Sequence, residues 1–476
     1  MDLNWSLLSV ELGLVALAVG CLLLDLWLPD DERRGRTMSA VALSGVLTLL
    51  AWHACRWGLF GTTFGGSYVL DGPAYFFKTI FLLSGAMALY LIRGYQPHLK
   101  RGHAEISLLV LFSQIGLSFL ASANDLLLLF VSLEILTVSL YVMTAYLRDN
   151  ASSIEAGVKY LVLGALSTAI FVFGASFVYG TTAATTFPAM AAALSSGVPP
   201  AFLFGMVLMV CSLGFKISMV PFQLWAPDIY QGAPTPVTGY LATASKAAGF
   251  AALLRLTLTV FAPAEQALAS VFAVLAAVTI LYGNLGAIPQ TNIKRLLAYS
   301  SIGHAGYLLI GLATLSSTGK AAILYYLLSY LFGSAAVFLV IVAVCRNSDE
   351  ISEFAGLSRR SPLLAAGMML GLLSLAGVPP LGGFFGKFLV LFSAAESGLM
   401  WLVALGVVNV VVSLYYYLKV VKAMYLDDAL DRSPMALSIG QRLMQWSALA
   451  GIFALGILQG PFTAFAVESL RSVLRS

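Results

Sequence analysis

The stretch FKISMVPFQLWAPDIYQGAPTPVTGYLATASKAAGF, residues 215–250, places Lys216 and Lys246 in strongly apolar sequence around a proline-rich break. A lysine at the centre of a membrane helix costs about 2.5–3.5 kcal/mol on insertion scales, so two of them beside a broken helix need a compensating reason. Movement of ions or protons is the first such reason to test.

The surrounding sequence supports a membrane setting. Of 476 residues, 60% are hydrophobic and 10% charged, with a mean hydropathy of +0.91, more apolar surface than a soluble core can hide. Apolar segments fall at 4–28, 38–56, 73–92, 105–122, 125–147, 154–179, 200–223, 236–261, 266–288, 296–314, 320–345, 362–396, 399–425 and 443–467. Most reach the ~20 residues that cross a bilayer as helix, which predicts an all-α polytopic membrane protein with about 14 transmembrane helices.

Charge orients these spans. If the loop from Asp30 to Thr37 is cytoplasmic, that side holds Arg33, Arg34, Arg36, Arg93, Lys100, Arg101, Arg148, Lys294, Arg295, Arg346, Arg359, Arg360, Lys419, Lys422, Arg432 and Arg442. The other side holds Arg56, Lys320, Arg471 and Arg475, so both termini are expected outside. Lys78, Lys159, Lys216, Lys246, Arg255 and Lys387 remain within the membrane. The net charge of +4 then reflects topology, with no nucleic-acid surface.

Other classes find little support. The N-terminus lacks a basic n-region and its first span is long, which reads as a retained helix. Cys21, Cys55, Cys211 and Cys345 are scattered without a C-x-x-C pair, and His53, His98, His103 and His304 show no ligand spacing. No metal or iron–sulfur site is therefore expected in this chain. No credible strand carries a glycine-rich phosphate loop.

A weak internal repeat relates Lys159–Ala169 to Tyr325–Ala335, and both copies precede a span broken by proline: Val220-Pro221 in the seventh and Gly377-Val378-Pro379-Pro380 in the twelfth. Five spans per copy would make the two repeats inverted, an architecture that places ion sites near the bilayer midplane. The expected organisation is an N-terminal three-helix segment at 1–104, five-helix repeats at 105–262 and 263–426 with broken helices 7 and 12, and a C-terminal helix at 427–476.

Gly214-Phe215-Lys216, Val220-Pro221-Phe222, Leu224-Trp225-Ala226-Pro227-Asp228, Leu241–Ala248, Thr291–Ile302 and Ser374–Pro379 together resemble the antiporter-like subunits of respiratory complex I, NADH:quinone oxidoreductase. Among the three sister subunits, Asp228-x-Tyr230-x-Gly232-Ala233-Pro234 followed by Ser245-Lys246-Ala247-Ala248 is similar to subunit N, subunit 2 in mitochondria. The likeness covers nearly the whole chain.

The resemblance implies a proton path. Glu134 matches the family's fifth-span glutamate, with Thr137 and Tyr141 on its face, and Lys159 is its matching lysine. Two alternatives stand beside that pairing: Glu134 held in a helix–helix hydrogen bond, and Lys159 bridging to Glu155 behind a capping box that starts at Ser152. Lys216 and Lys246 are implied proton carriers, and Lys387 matches the family's twelfth-span lysine on the exit side. His304 either bridges Lys246 and Lys387 through water or bonds a carbonyl. Lys78 and Arg255 are expected to snorkel, Asn124 and Asp125 to cap a helix, and Asp228 to fold the 225–236 loop. Gln223 stands where many relatives have histidine; it can orient water but cannot store a proton near neutral pH.

By that resemblance NADH, FMN, iron–sulfur clusters and quinone belong to partner subunits, and no cofactor to this chain. Partners would be other membrane-arm subunits, neighbouring antiporter-like subunits among them, and lipids of a bacterial inner (cytoplasmic) membrane. Alternatives are a multisubunit cation/proton antiporter, a related membrane hydrogenase or ferredoxin-linked complex, and a spacer that no longer pumps.

Overall fold

A computed structural model describes residues 3–29, 32–100, 102–195, 197–345, 348–428 and 433–475, with Glu32 and residues 472–475 as backbone only. Asp30, Arg101, Arg346 and Arg432, used above to orient the chain, lie outside the described residues, as does the side chain of Arg475.

Helices dominate. In order they are α1 (Ser9–Asp25), α2 (Glu32–Ala54), α3 (Gly72–Tyr95), α4 (Glu105–Ala121), α5 (Leu126–Thr144), α6 (Ala151–Thr182), α7 (Phe187–Ala193), α8 (Pro200–Lys216), α9 (Trp225–Gly232) and α10 (Thr235–Tyr240). A π turn, Leu241–Ser245, joins α10 to α11 (Lys246–Leu258). Then follow α12 (Glu265–Ala287), α13 (Ile293–Ala313), α14 (Ser317–Val344), α15 (Leu357–Arg360), α16 (Pro362–Ala376), α17 (Gly382–Glu396), α18 (Met400–Tyr425), α19 (Ile439–Ile457) and α20 (Gln459–Arg475). One hairpin, β1 (Gly61–Thr63) with β2 (Tyr68–Leu70), departs from the strand-free expectation; its turn passes through Gly65 and Gly66 at φ +63° and +89°.

Every expected apolar segment is occupied by helix, but the count of 14 spans is not reproduced. Among the described residues, 10 helices are long and apolar enough to cross a membrane, or 11 if the bent pair α19–α20 is one span. Further apolar helices, α4, α8 and α16, have only 10–17 residues. The seventh and twelfth segments are broken, so each supplies half-helices. The last is not straight either, since α19 and α20 meet at 83°.

Helix starts follow local chemistry. Asp125 caps α5, accepting from Leu127 N at 2.8 Å, while Asn124 instead donates to Gly66 O. The cap of α6 is Asn150, which accepts from Ser152 N at 2.9 Å; the box expected at Ser152 is thus replaced by a residue two positions earlier.

Packing divides the chain into two compact units: Met1–Trp225, Gly232–Ser270 and Glu468–Ser476 form the first, and Ala226–Gln231 with Val271–Val467 the second. Helices apolar all round suit either lipid or core, and burial separates the two. In the first unit 94% of the Thr235–Leu258 window is buried against 28% for α6, so the Lys246 span is interior and α6 faces outward. In the second, α13 and α14 are interior and α18 is peripheral.

Candidate functional site: buried lysines at broken helices

Lys216 is the last residue of α8. The helix stops because Val220-Pro221 follows, a cis peptide in a turn where Met219 N bonds Gly214 O at 2.8 Å and Trp225 Nε1 donates to Phe215 O at 2.9 Å. The ammonium therefore sits at the negative end of a helix dipole. Lys216 is 5% exposed, and its Nζ has no hydrogen-bond partner among the described residues. Gln223, across the same break, is buried with its Oε1 also unpartnered. Glu134 is the acid whose charge acts on Lys216.

Glu134 is half-buried on α5 and accepts from Thr168 Oγ1 at 2.8 Å and Thr137 Oγ1 at 3.4 Å. It lines a groove of about 590 Å³ between α5 and α6 that extends past Tyr141 to Arg148. Lys159 adopts its other expected pairing: its Nζ lies 2.6 Å from Glu155 Oε1, one turn back on α6. Both members are exposed, at 43% and 64%. Of the two expected pairings, the structure holds Lys159 in the one with Glu155, on the same helix face.

Lys246 opens α11 immediately after the π turn, and it is 1% exposed. A single π turn inside an α-helix commonly marks a functional site. Gly249, one turn on, brings α11 against the first break: a Cβ there would meet Ile217 Cγ2 at 2.5 Å and Lys216 Cβ at 3.3 Å. Only glycine permits this approach, which puts the two lysine-bearing backbones side by side.

The second unit repeats the device. α16 ends at Ala376, Gly377 takes φ +88°, and the Pro379-Pro380 peptide is cis. Lys387 on α17 folds back across this break, donating to Ala376 O at 2.8 Å, with its ammonium 4.9 Å from the centre of the Tyr307 ring. Burial of Lys387 to 3% exposure is thus offset by a terminal helix carbonyl and an aromatic face.

His304 bonds two tyrosine hydroxyls, with Nδ1 2.7 Å from Tyr326 and Nε2 3.1 Å from Tyr417. Tyr417 continues to Ser300. Together these make a chain of four groups, each able to give and take a proton. Asp228 lies in helix α9, not a loop, and bridges to Arg295 at 2.7 Å within the second unit.

Sequence reasoning missed two further lysine and arginine sites. Lys78 and Arg255 do not snorkel: they are 1% and 5% exposed, and they pair with Glu11 at 2.7 Å and with Asp71. The available signal was Glu11 in an apolar first span, an acid as costly there as the lysine.

A family model described as NADH:quinone oxidoreductase/Mrp antiporter, TM, matches residues 123–413. Relatives include NADH-quinone oxidoreductase subunit N of Moorella thermoacetica, 42% identical over 98% of both chains. That of Heliobacterium modesticaldum is 43% identical over 99% of this chain and all of its own. Among solved structures, a chain of respiratory complex I from Thermus thermophilus superposes with a TM-score of 0.83 at 34% identity, covering 96% of this chain and 99% of that one. A chain of the Mrp complex from Dietzia shares the fold, with a TM-score of 0.87 at 19% identity over 99% and 98%. This chain therefore belongs to the NADH-quinone oxidoreductase subunit N family of antiporter-like membrane proteins.

Proposed function

We propose that the chain carries protons as a membrane-arm subunit of NADH:quinone oxidoreductase. Partner subunits would pass electrons from NADH through FMN and iron–sulfur clusters to quinone, and this chain would spend the released energy on moving protons through Glu134, Lys216, Lys246, His304 and Lys387. Lys159, outward on α6 beside Glu155, is where a neighbouring antiporter-like subunit would act on the path. A bacterial inner membrane, with both termini outside, is the setting that the arginine and lysine distribution supports.

The observation that carries this reading is the Lys216 ammonium: buried, without a hydrogen-bond partner among the described residues, at the end of a broken helix and in the field of Glu134. A group so held has little to lose on giving up its proton, and the adjoining break can admit water. The Glu134 carboxylate, acting through its charge alone, would change how tightly that proton is held when its own surroundings change. Lys246, on the backbone packed against the same break, is the next acceptor within the unit.

The test is Lys216→Met in the assembled complex in inverted membrane vesicles, matched for assembly. The expected result is loss of most coupled proton uptake, since methionine keeps the volume and removes the proton site. Uptake at the wild-type rate would refute the reading.

A further inference from the structure

We propose that Glu11, Lys78 and Tyr68 form a second proton-holding site in the first unit, with Glu11 Oε2 as the atom that takes the proton. The inference rests on the proton-transport reading above and extends it to a site that this reading does not use.

The cluster lies where α1 and α3 begin and α4 and α11 end. Glu11 Oε1 accepts from Lys78 Nζ at 2.7 Å and Ser118 Oγ at 2.8 Å, and Tyr68 OH, 3.0 Å from both Glu11 Oε1 and Leu7 O, has one proton to give to either. Lys78 Nζ also donates to Tyr68 OH at 2.7 Å. Glu11 Oε2 has no partner among the described residues, although Glu11 is 1% exposed. A carboxylate that served only as a clamp would be expected to share its donors between both oxygens. An oxygen left bare in this setting carries a desolvation penalty of about 1–3 kcal/mol or more, which a proton or a visiting water would relieve.

The surrounding charges suit a site that changes charge. Asp71 and Arg255 act on Lys78, and Arg255 Nη2 bonds Asp71 Oδ1 at 2.9 Å and Ala121 O at 3.0 Å. His53, stacked on Tyr75 and donating from Nε2 to Tyr75 O, is acted on by Lys78 and Glu11. On loading, an O–H bond forms at Oε2 and Glu11 becomes neutral, which leaves the single charge of Asp71 to serve both Arg255 and Lys78. On release that O–H bond breaks, the proton leaves, and Glu11 again pairs with Lys78 as a carboxylate; no electrons move. Arg255 lies nine residues beyond Lys246 on α11, about 13 Å of helix rise, and Tyr68 hangs from the hairpin whose turn, at Phe64 and Gly65, is exposed.

The experiment compares Glu11→Gln/Lys78→Met, Glu11→Asp and Lys246→Ala in the assembled complex in vesicles, normalised to assembly. The double variant removes both charges together, so it leaves no unpaired buried ion. Its coupled proton uptake is expected to fall at least about tenfold, with partial retention in Glu11→Asp. Infrared difference spectra of the energised wild type should show a deuterium-sensitive carboxylic acid band that shifts in Glu11→Asp, a readout independent of how well the double variant assembles. Wild-type uptake in the double variant, or a band unaltered in Glu11→Asp, would overturn the proposal. If Lys246→Ala also pumped normally, the transport reading itself would fall; if it did not, only the second site would.

Discussion

At the residue scale, what distinguishes the buried lysines is how each charge is compensated. Lys78 has a full ion pair, Lys387 a helix carbonyl and an aromatic face, and Lys216 no hydrogen bond at all among the described residues. Breaking a buried pair from one side leaves an uncompensated charge, so Lys78→Ala is predicted to destabilise the chain by about 3–5 kcal/mol. Lys159→Ala breaks only an exposed bridge and should cost under about 1 kcal/mol. Thermal unfolding of the detergent-solubilised complex checks both, and similar losses in the two would contradict the burial argument. The sequence showed that lysines were present in apolar segments, but not who pairs with whom. Glu11 and Lys78 meet only because α1 and α3 both pack against α2 and α4 in one unit, and Lys159 had two acids within plausible reach. Local spacing favours Glu155, and the structure follows it.

At the scale of elements, both breaks were legible because proline cannot continue a helix and its position is written in the chain. The details around them were not. The π turn before Lys246 has no compositional signature in LATAS, and the close approach at Gly249 depends on a tertiary neighbour. The hairpin was hidden because strands of three residues fall below any periodicity that could identify them. Gly377 carries two requirements at once: φ +88°, and space that a Cβ would take at 2.9 Å from Lys387 Cδ. Gly377→Ala is therefore predicted to cost about 1 kcal/mol or more in stability and to displace Lys387, lowering proton uptake. Gly180→Ala on α6, with open space around it, is the control and should leave uptake unchanged. Equal uptake in the two variants would show that the Lys387 position tolerates displacement.

For the whole molecule, the division of arginines and lysines predicts sidedness. In a background with the exposed Cys55 replaced by serine, a cysteine at Thr62 in the hairpin should react with an impermeant reagent in intact cells, whereas one at Ser352 should not. The reverse pattern would invert the orientation. Predominantly helical character and membrane class followed from composition and hydropathy, whereas the number of full spans did not, because a hydropathy segment does not reveal whether its helix is whole, halved or bent. The central claim is that this chain's own buried lysines carry the protons. It is tested most directly by counting protons moved per NADH oxidised in proteoliposomes containing the complex with Lys246→Ala, alongside Gln223→Ala. On the proposed reading Gln223 orients water, which a second water can replace at modest cost, so its loss should lower the yield partially. Lys246, on the proposed reading, holds the proton itself, so its loss should remove this chain's whole contribution. An unchanged proton yield in Lys246→Ala at full assembly would contradict the account.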